Sequence, residues 1–86
     1  MSELTDRDRR ALTVLRDEAV KLHPARVAYL VGDRKPSAGF GWRNTLDRLE
    51  RRGLVRSIYP PHHGGQLPGR DFEITPAGVE ALEAVD

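Results

Sequence analysis

Ser37-Ala-Gly-Phe-Gly-Trp-Arg-Asn-Thr-Leu-Asp-Arg-Leu-Glu-Arg-Arg-Gly-Leu-Val-Arg-Ser-Ile58 reads as one helix, a glycine stop and a strand. Trp42, Leu46 and Leu49 recur at helical spacing and form one apolar face. Arg43, Asn44, Asp47, Arg48 and Arg51 take much of the remaining surface. Gly53 stands where a chain leaves a helix through a left-handed residue, a conformation glycine adopts cheaply. Leu54 follows where a Schellman ending folds it back onto Leu49. Leu54 to Tyr59 then has strand character, with branched apolar residues in place of helix formers. Ser37 is the candidate cap, but glycines at 39 and 41 weaken the first turn, so Trp42 to Arg52 carries the helical reading.

Upstream, Asp33-Arg34-Lys35-Pro36 is a polar turn, preceded by a short helix from Pro24 to Val31 that Gly32 stops. Val27, Leu30 and Val31 are its buried residues. Proline suits a first helical position, where a missing N–H costs nothing. The first helix begins at Thr5, with Asp6 and Asp8 in its opening turn, where acids complement the helix dipole. Leu12, Leu15, Ala19 and Leu22 make its buried stripe, and His23-Pro24 ends it.

Downstream, Pro60 to Gly69 holds three prolines and three glycines in ten residues and is a loop. Arg70 to Ile74 alternates polar and apolar, so Phe72 and Ile74 face the core of a second strand. Thr75 caps a last helix that Pro76 opens and Val79, Leu82 and Val85 continue. Leu12, Leu15, Leu30, Trp42, Leu46, Leu49, Val55, Phe72, Ile74 and Leu82 are expected to form one core. Trp42 belongs to that core by its spacing rather than to a stacking site; Phe40 is open, with the core's edge as one place for it.

Eighty-six residues suit a single domain spanning 1–86. The absence of cysteine removes disulfides and thiolate metal sites and fits a reducing compartment. The longest apolar run, Val27 to Val31, is far short of a membrane span, and Met1 to Asp6 lacks the character of a signal peptide. A cytoplasmic protein without a membrane partner is expected. The net charge of +1 is unevenly spread. Residues 1–33 carry six bases and six acids; residues 34–70 carry eight bases against two acids, a net of +6; residues 71–86 carry five acids and no base. Such a block is the electrostatic footprint of an anionic partner, beside the plainer reading that a surface rich in charge clusters by chance.

Catalytic chemistry has little to stand on. No nucleophile–base pairing is visible, and no glycine-rich phosphate loop follows a strand. The adjacent His62 and His63 point opposite ways on an extended loop, with no cysteine or carboxylate pair to complete a zinc site. Neither an enzyme nor a cofactor is expected.

Three helices, a strand, a hairpin loop, a strand and a helix are the element order of a winged helix-turn-helix, an α+β fold. Leu46-Asp47-Arg48-Leu49-Glu50-Arg51-Arg52-Gly53-Leu54-Val55 resembles the end of the recognition helix in winged-helix transcription regulators of the MarR and PadR types. Phe72 to Leu82 resembles the strand-to-helix passage after the wing in the same proteins, and a wing-sized gap separates the two motifs. The resemblance covers residues 5–86. It departs in the long glycine-bearing loop before the third helix. It also lacks the long C-terminal helices by which those families dimerise, so a monomer or weak homodimer is expected.

The resemblance implies that the exposed side of Ser37 to Arg48 enters the major groove of double-stranded DNA. Arg43 and Asn44 become base-reading candidates, since arginine pairs with guanine and asparagine with adenine. Ser37, Asp47 and Arg48 share that stretch and join them as base-reading candidates. Arg34, Lys35, Arg51, Arg56 and Arg70 become backbone contacts, which position a protein without reading sequence. His62, His63 and Gln66 would lie in the wing, along the backbone or minor groove. The plainer reading gives Arg43, Asp47 and Arg51 to ion pairs on a solvated helix. The rival functions are a winged helix that binds protein and an accessory factor of DNA architecture or recombination.

Overall fold

The computed structural model describes residues 4–19, 21–58 and 70–84. Its elements run α1 (Asp6–Glu18), α2 (Pro24–Val31), α3 (Ala38–Arg51), β1 (Val55–Ile58), β2 (Asp71–Ile74) and α4 (Pro76–Glu83). Thr5 caps α1 through a reciprocal box. Its hydroxyl accepts the Asp8 N–H at 3.0 Å, and the Asp8 carboxylate accepts the Thr5 N–H at 3.2 Å.

The end of α1 corrects the sequence reading. The helix stops at Glu18, and Ala19 turns left-handed with φ 56°, exposed instead of buried. Leu22 therefore lies outside the helix, yet it is buried by another route. Its N–H and C=O exchange bonds with Phe72 of β2, at 2.9 and 2.8 Å. The outer edge of β2 carries backbone groups that need partners, and Leu22 supplies them while filling the core.

The remaining boundaries follow from local chemistry. His23 caps α2, its Nδ1 accepting the Ala25 N–H at 3.1 Å. Helix α3 starts four residues before Trp42 and includes both glycines, although the Ser37 side chain makes no capping bond. Gly41 leaves room for Arg7: a Cβ there would sit 2.9 Å from the guanidinium, which would have to shift. At its other end, Gly53 has φ 78°, Gly53 N–H bonds Glu50 C=O at 2.9 Å, and Leu54 N–H bonds Leu49 C=O at 3.0 Å. These are the two bonds of a Schellman ending.

Strands β1 and β2 pair antiparallel, with Val55 opposite Ile74 and Ser57 opposite Phe72. Thr75 then joins three pieces of chain. Its hydroxyl accepts the Gly78 N–H at 3.1 Å and donates to the Gly53 carbonyl at 2.7 Å, while its N–H reaches the Leu54 carbonyl at 3.1 Å. So close is α4 to the end of α3 that a Cβ on Gly78 would overlap the Leu54 carbonyl oxygen and lie 2.7 Å from Ile74 Cγ1.

Among the described residues, four helices and the paired strands surround one core. Leu12, Leu15, Trp42, Leu46, Leu49, Val55 and Phe72 are buried as expected. Leu30, Ile74 and Leu82 are half-buried at its rim, beside Val31. Ala11, Leu22, Val27, Ala28, Ala38 and Leu54 complete it. Among the described residues, no helix is long and apolar enough to cross a membrane.

Candidate nucleic-acid interface

Helix α3 has two unlike faces. Trp42, Thr45, Leu46 and Leu49 turn inward and are buried. Phe40, Arg43, Asn44, Asp47, Arg48 and Arg51, spaced alternately by three and one, form the opposite stripe, and all but the half-buried Asp47 are exposed. Ser37 is exposed just ahead of the helix. The stripe thus gathers all five base-reading candidates and Arg51 on or beside one surface.

The inward face is fixed by polar bonds as well as by packing. The Arg7 guanidinium lies over the Trp42 ring, 3.9 Å from its centroid, and donates to Thr45 Oγ1 at 2.8 Å. Trp42 Nε1–H donates to Asp33 Oδ2 at 2.9 Å, tying α3 to the turn that precedes it. The Asp33 carboxyl is held below its usual range by that indole bond and by the Lys35 N–H.

The C-terminal half of the stripe is engaged with carboxylates. Asp8, only 1% exposed, accepts Arg48 at 2.8 Å and lies 3.6 Å from Arg52. Burial pushes the Asp8 carboxyl up, but the Arg48 bond and charge and the Thr5 bonds outweigh it, and the net shift is downward. Arg70, just before β2, donates to Asp47 at 2.5 Å and approaches Glu50 at 3.5 Å. Glu50 also accepts the Ser57 hydroxyl at 2.6 Å and the Ser57 N–H at 3.1 Å. The Ser57 hydroxyl is the largest influence on Glu50; it, the Ser57 N–H and Arg70 together outweigh burial and lower the carboxyl's pKa. The hairpin is therefore bolted to α3 through Arg70, Glu50 and Ser57.

The other proposed backbone contacts divide in the same way. Arg56 pairs across the strands with Glu73. Arg34 is exposed and stacks over Tyr29, 4.8 Å from its ring centroid; Lys35 is exposed in the turn before α3. Arg43 approaches Asp47 at 4.0 Å, the spacing of the ion-pair reading, while remaining 55% exposed. His62, His63 and Gln66 lie outside the described residues. Among the described residues, no three His, Cys, Asp or Glu side chains come together as a metal-ligand set.

Two participants were not singled out from the sequence. Asp8 read only as a first-turn acid, since its partners Arg48 and Arg52 stand some forty residues away. Phe40 is 73% exposed on the outward stripe and not at the core's edge. Its spacing of three and four residues from Arg43 and Asn44 was the available signal.

A three-helix bundle, an antiparallel hairpin bolted to its third helix and a closing helix make this a winged helix-turn-helix fold. The S. aureus MepR–DNA complex shares it, with a TM-score of 0.72 and 21% identity over 94% of this chain and 60% of that one. A MepR variant from a multidrug-resistant S. aureus clinical isolate gives a TM-score of 0.73 and 20% identity, covering 93% and 53%. The zinc-responsive MarR family member ZitR of Lactococcus lactis gives 0.70 and 16%, covering 95% and 51%. At such identities the likeness is one of fold, and the chain spans about half the length of these structures. No family model and no curated sequence matches the chain.

Proposed function

We propose that residues 1–86 form a DNA-binding domain of a transcriptional regulator that reads a specific duplex site. Helix α3 enters the major groove, Arg43 and Asn44 read base edges, and Arg34, Lys35 and Arg51 hold phosphates. One observation carries this reading: an exposed stripe of hydrogen-bonding and basic side chains on the helix that the fold turns outward. The MepR likeness supports it, because that fold was captured in a DNA complex. Arg48, Arg56 and Arg70 stay in the interface as candidates that must exchange a carboxylate for a phosphate or base.

A second reading rests on those three arginines together with Arg52. Because Arg48, Arg52, Arg56 and Arg70 are engaged by Asp8, Glu73, Asp47 and Glu50, the charge available to phosphates is smaller than the block of eight bases suggests. A weakly charged winged helix suits a protein partner.

A gel-shift series with randomised duplexes over a salt gradient separates the two. The DNA reading expects affinity to fall steeply with salt as phosphates release counterions. Lys35→Ala should weaken all duplexes alike and flatten the salt slope by about one. Arg43→Ala or Asn44→Ala should cost on the order of 1–3 kcal/mol at the preferred site and little elsewhere. Retention of no duplex at ~100 mM salt, where specific binders hold at nanomolar levels, overturns the reading.

A further inference from the structure

We propose that Phe40 reads the C5-methyl group of a thymine in the major groove, an apolar specificity contact beside the polar ones of Arg43 and Asn44. The inference rests on the DNA-binding reading above and names one feature of the site that DNA would present.

Exposure is the first observation. Phe40 is 73% exposed, whereas Trp42, two residues on, is 1% exposed. A single exposed apolar side chain is ordinary on a protein surface, so exposure alone decides nothing. Its place decides more. Phe40 sits in the first turn of α3, three and four residues ahead of Arg43 and Asn44 and on the same stripe. The first turns of a recognition helix are where base-contacting side chains stand.

The mounting of the ring is the second observation. The inward positions of this turn are filled by Ala38 and Trp42, both buried. Its flanking residues are glycines lying against the body of the protein. A Cβ on Gly39 would touch Ala25 at 3.8 Å, and one on Gly41 would crowd the Arg7 guanidinium at 2.9 Å. The backbone on both sides of Phe40 is thus drawn toward α1 and α2, and the phenyl ring is left on the outer surface.

Chemistry then selects the partner. A phenyl ring offers no hydrogen bond to a phosphate or to a polar base edge. In the major groove thymine alone among the four bases presents a methyl group, and phenylalanine is one of the side chains that packs against it.

The test uses the full chain and a duplex it selects from a randomised pool. Each thymine is replaced singly by deoxyuridine, which removes the methyl and leaves every hydrogen-bonding group in place. Wild type should lose about fourfold in affinity at one thymine position, the worth of one buried methyl-sized group. Phe40→Ala should bind the thymine and uracil duplexes alike, and Phe40→Leu should keep part of the preference. Both variants should melt like wild type, because the side chain is exposed. Indifference of wild type to every substitution overturns the inference and leaves the DNA-binding reading intact. So does a Phe40→Ala chain that keeps the full methyl preference. Retention of no duplex from the pool overturns both.

Discussion

The two halves of α3 are held by different physics. The half after Asn44 is clamped: Leu46 and Leu49 are buried, Asp8 grips Arg48 and Arg52, Arg70 and Ser57 tie the hairpin to Asp47 and Glu50, and α4 closes over the Schellman turn. The half up to Asn44 is anchored from beneath, by Ala38, by Trp42 with its bond to Asp33 and by Arg7, and its outer surface is Phe40, Arg43 and Asn44. The contrast lies in the outward side chains: carboxylates hold those of the second half, while Phe40 and Asn44 of the first half face solvent. It shows that counting arginines overstates a charged face, since intramolecular carboxylates claim several of them.

Four substitutions probe this division. Leu49→Ala empties a fully buried position in the clamped half and should cost about 2–5 kcal/mol. A denaturation midpoint unchanged from wild type would refute the clamp. Gly78→Ala has a diagnostic sign. In an open helix the change favours folding by about 1 kcal/mol. Here the new Cβ meets the Leu54 carbonyl, a backbone atom that cannot swing aside, and the net cost should be about 1–3 kcal/mol. Thermal stabilisation of this variant would mean that α4 does not lie so close.

Asp8→Asn removes the carboxylate from two arginines and should cost about 2 kcal/mol. That is below the usual penalty for breaking a buried pair, because Arg48 and Arg52, 50% and 27% exposed, can turn to water. Acid should act on the same clamp. Asp8 and Glu50 have folded pKa values below their ordinary 3.8 and 4.5. The stability they contribute is therefore fully present above those ordinary values and is lost as pH falls through the lowered ones. Urea titrations between neutral and acid pH should show that loss, and the Asp8→Asn chain should show a shallower one. Identical acid limbs in the two chains would remove Asp8 from the clamp. The smallest effect belongs to the half up to Asn44. Arg43→Ala should leave stability within about 0.5 kcal/mol of wild type, measurable by calorimetry, as exposed substitutions do. A larger loss would mean that the outward side chains of this half also carry the fold.

Much of this architecture is legible in the sequence. The inward face of α3 follows from the spacing of Trp42, Leu46 and Leu49, and its ending from Gly53 and Leu54. Thr75-Pro76 announced α4, and the alternation around Phe72 announced a strand. Leu22 misleads because it continues the three-and-four spacing of Leu12 and Leu15, although its burial comes from pairing with a strand fifty residues away. Phe40 stays open in the sequence because the glycines on either side of it blur where the helix begins.

Periodicity, caps and turn residues act over a few residues, so the order of elements and the inward face of each helix are already written in the chain. The engagement of Arg48 with Asp8, of Arg70 with Asp47 and of Gly78 with Leu54 spans 23 to 40 residues. No local pattern encodes such pairings. They arise only when packing around the core brings distant segments within hydrogen-bond or van der Waals range, and the two arginine pairings set which outward side chains of α3 are engaged within the chain.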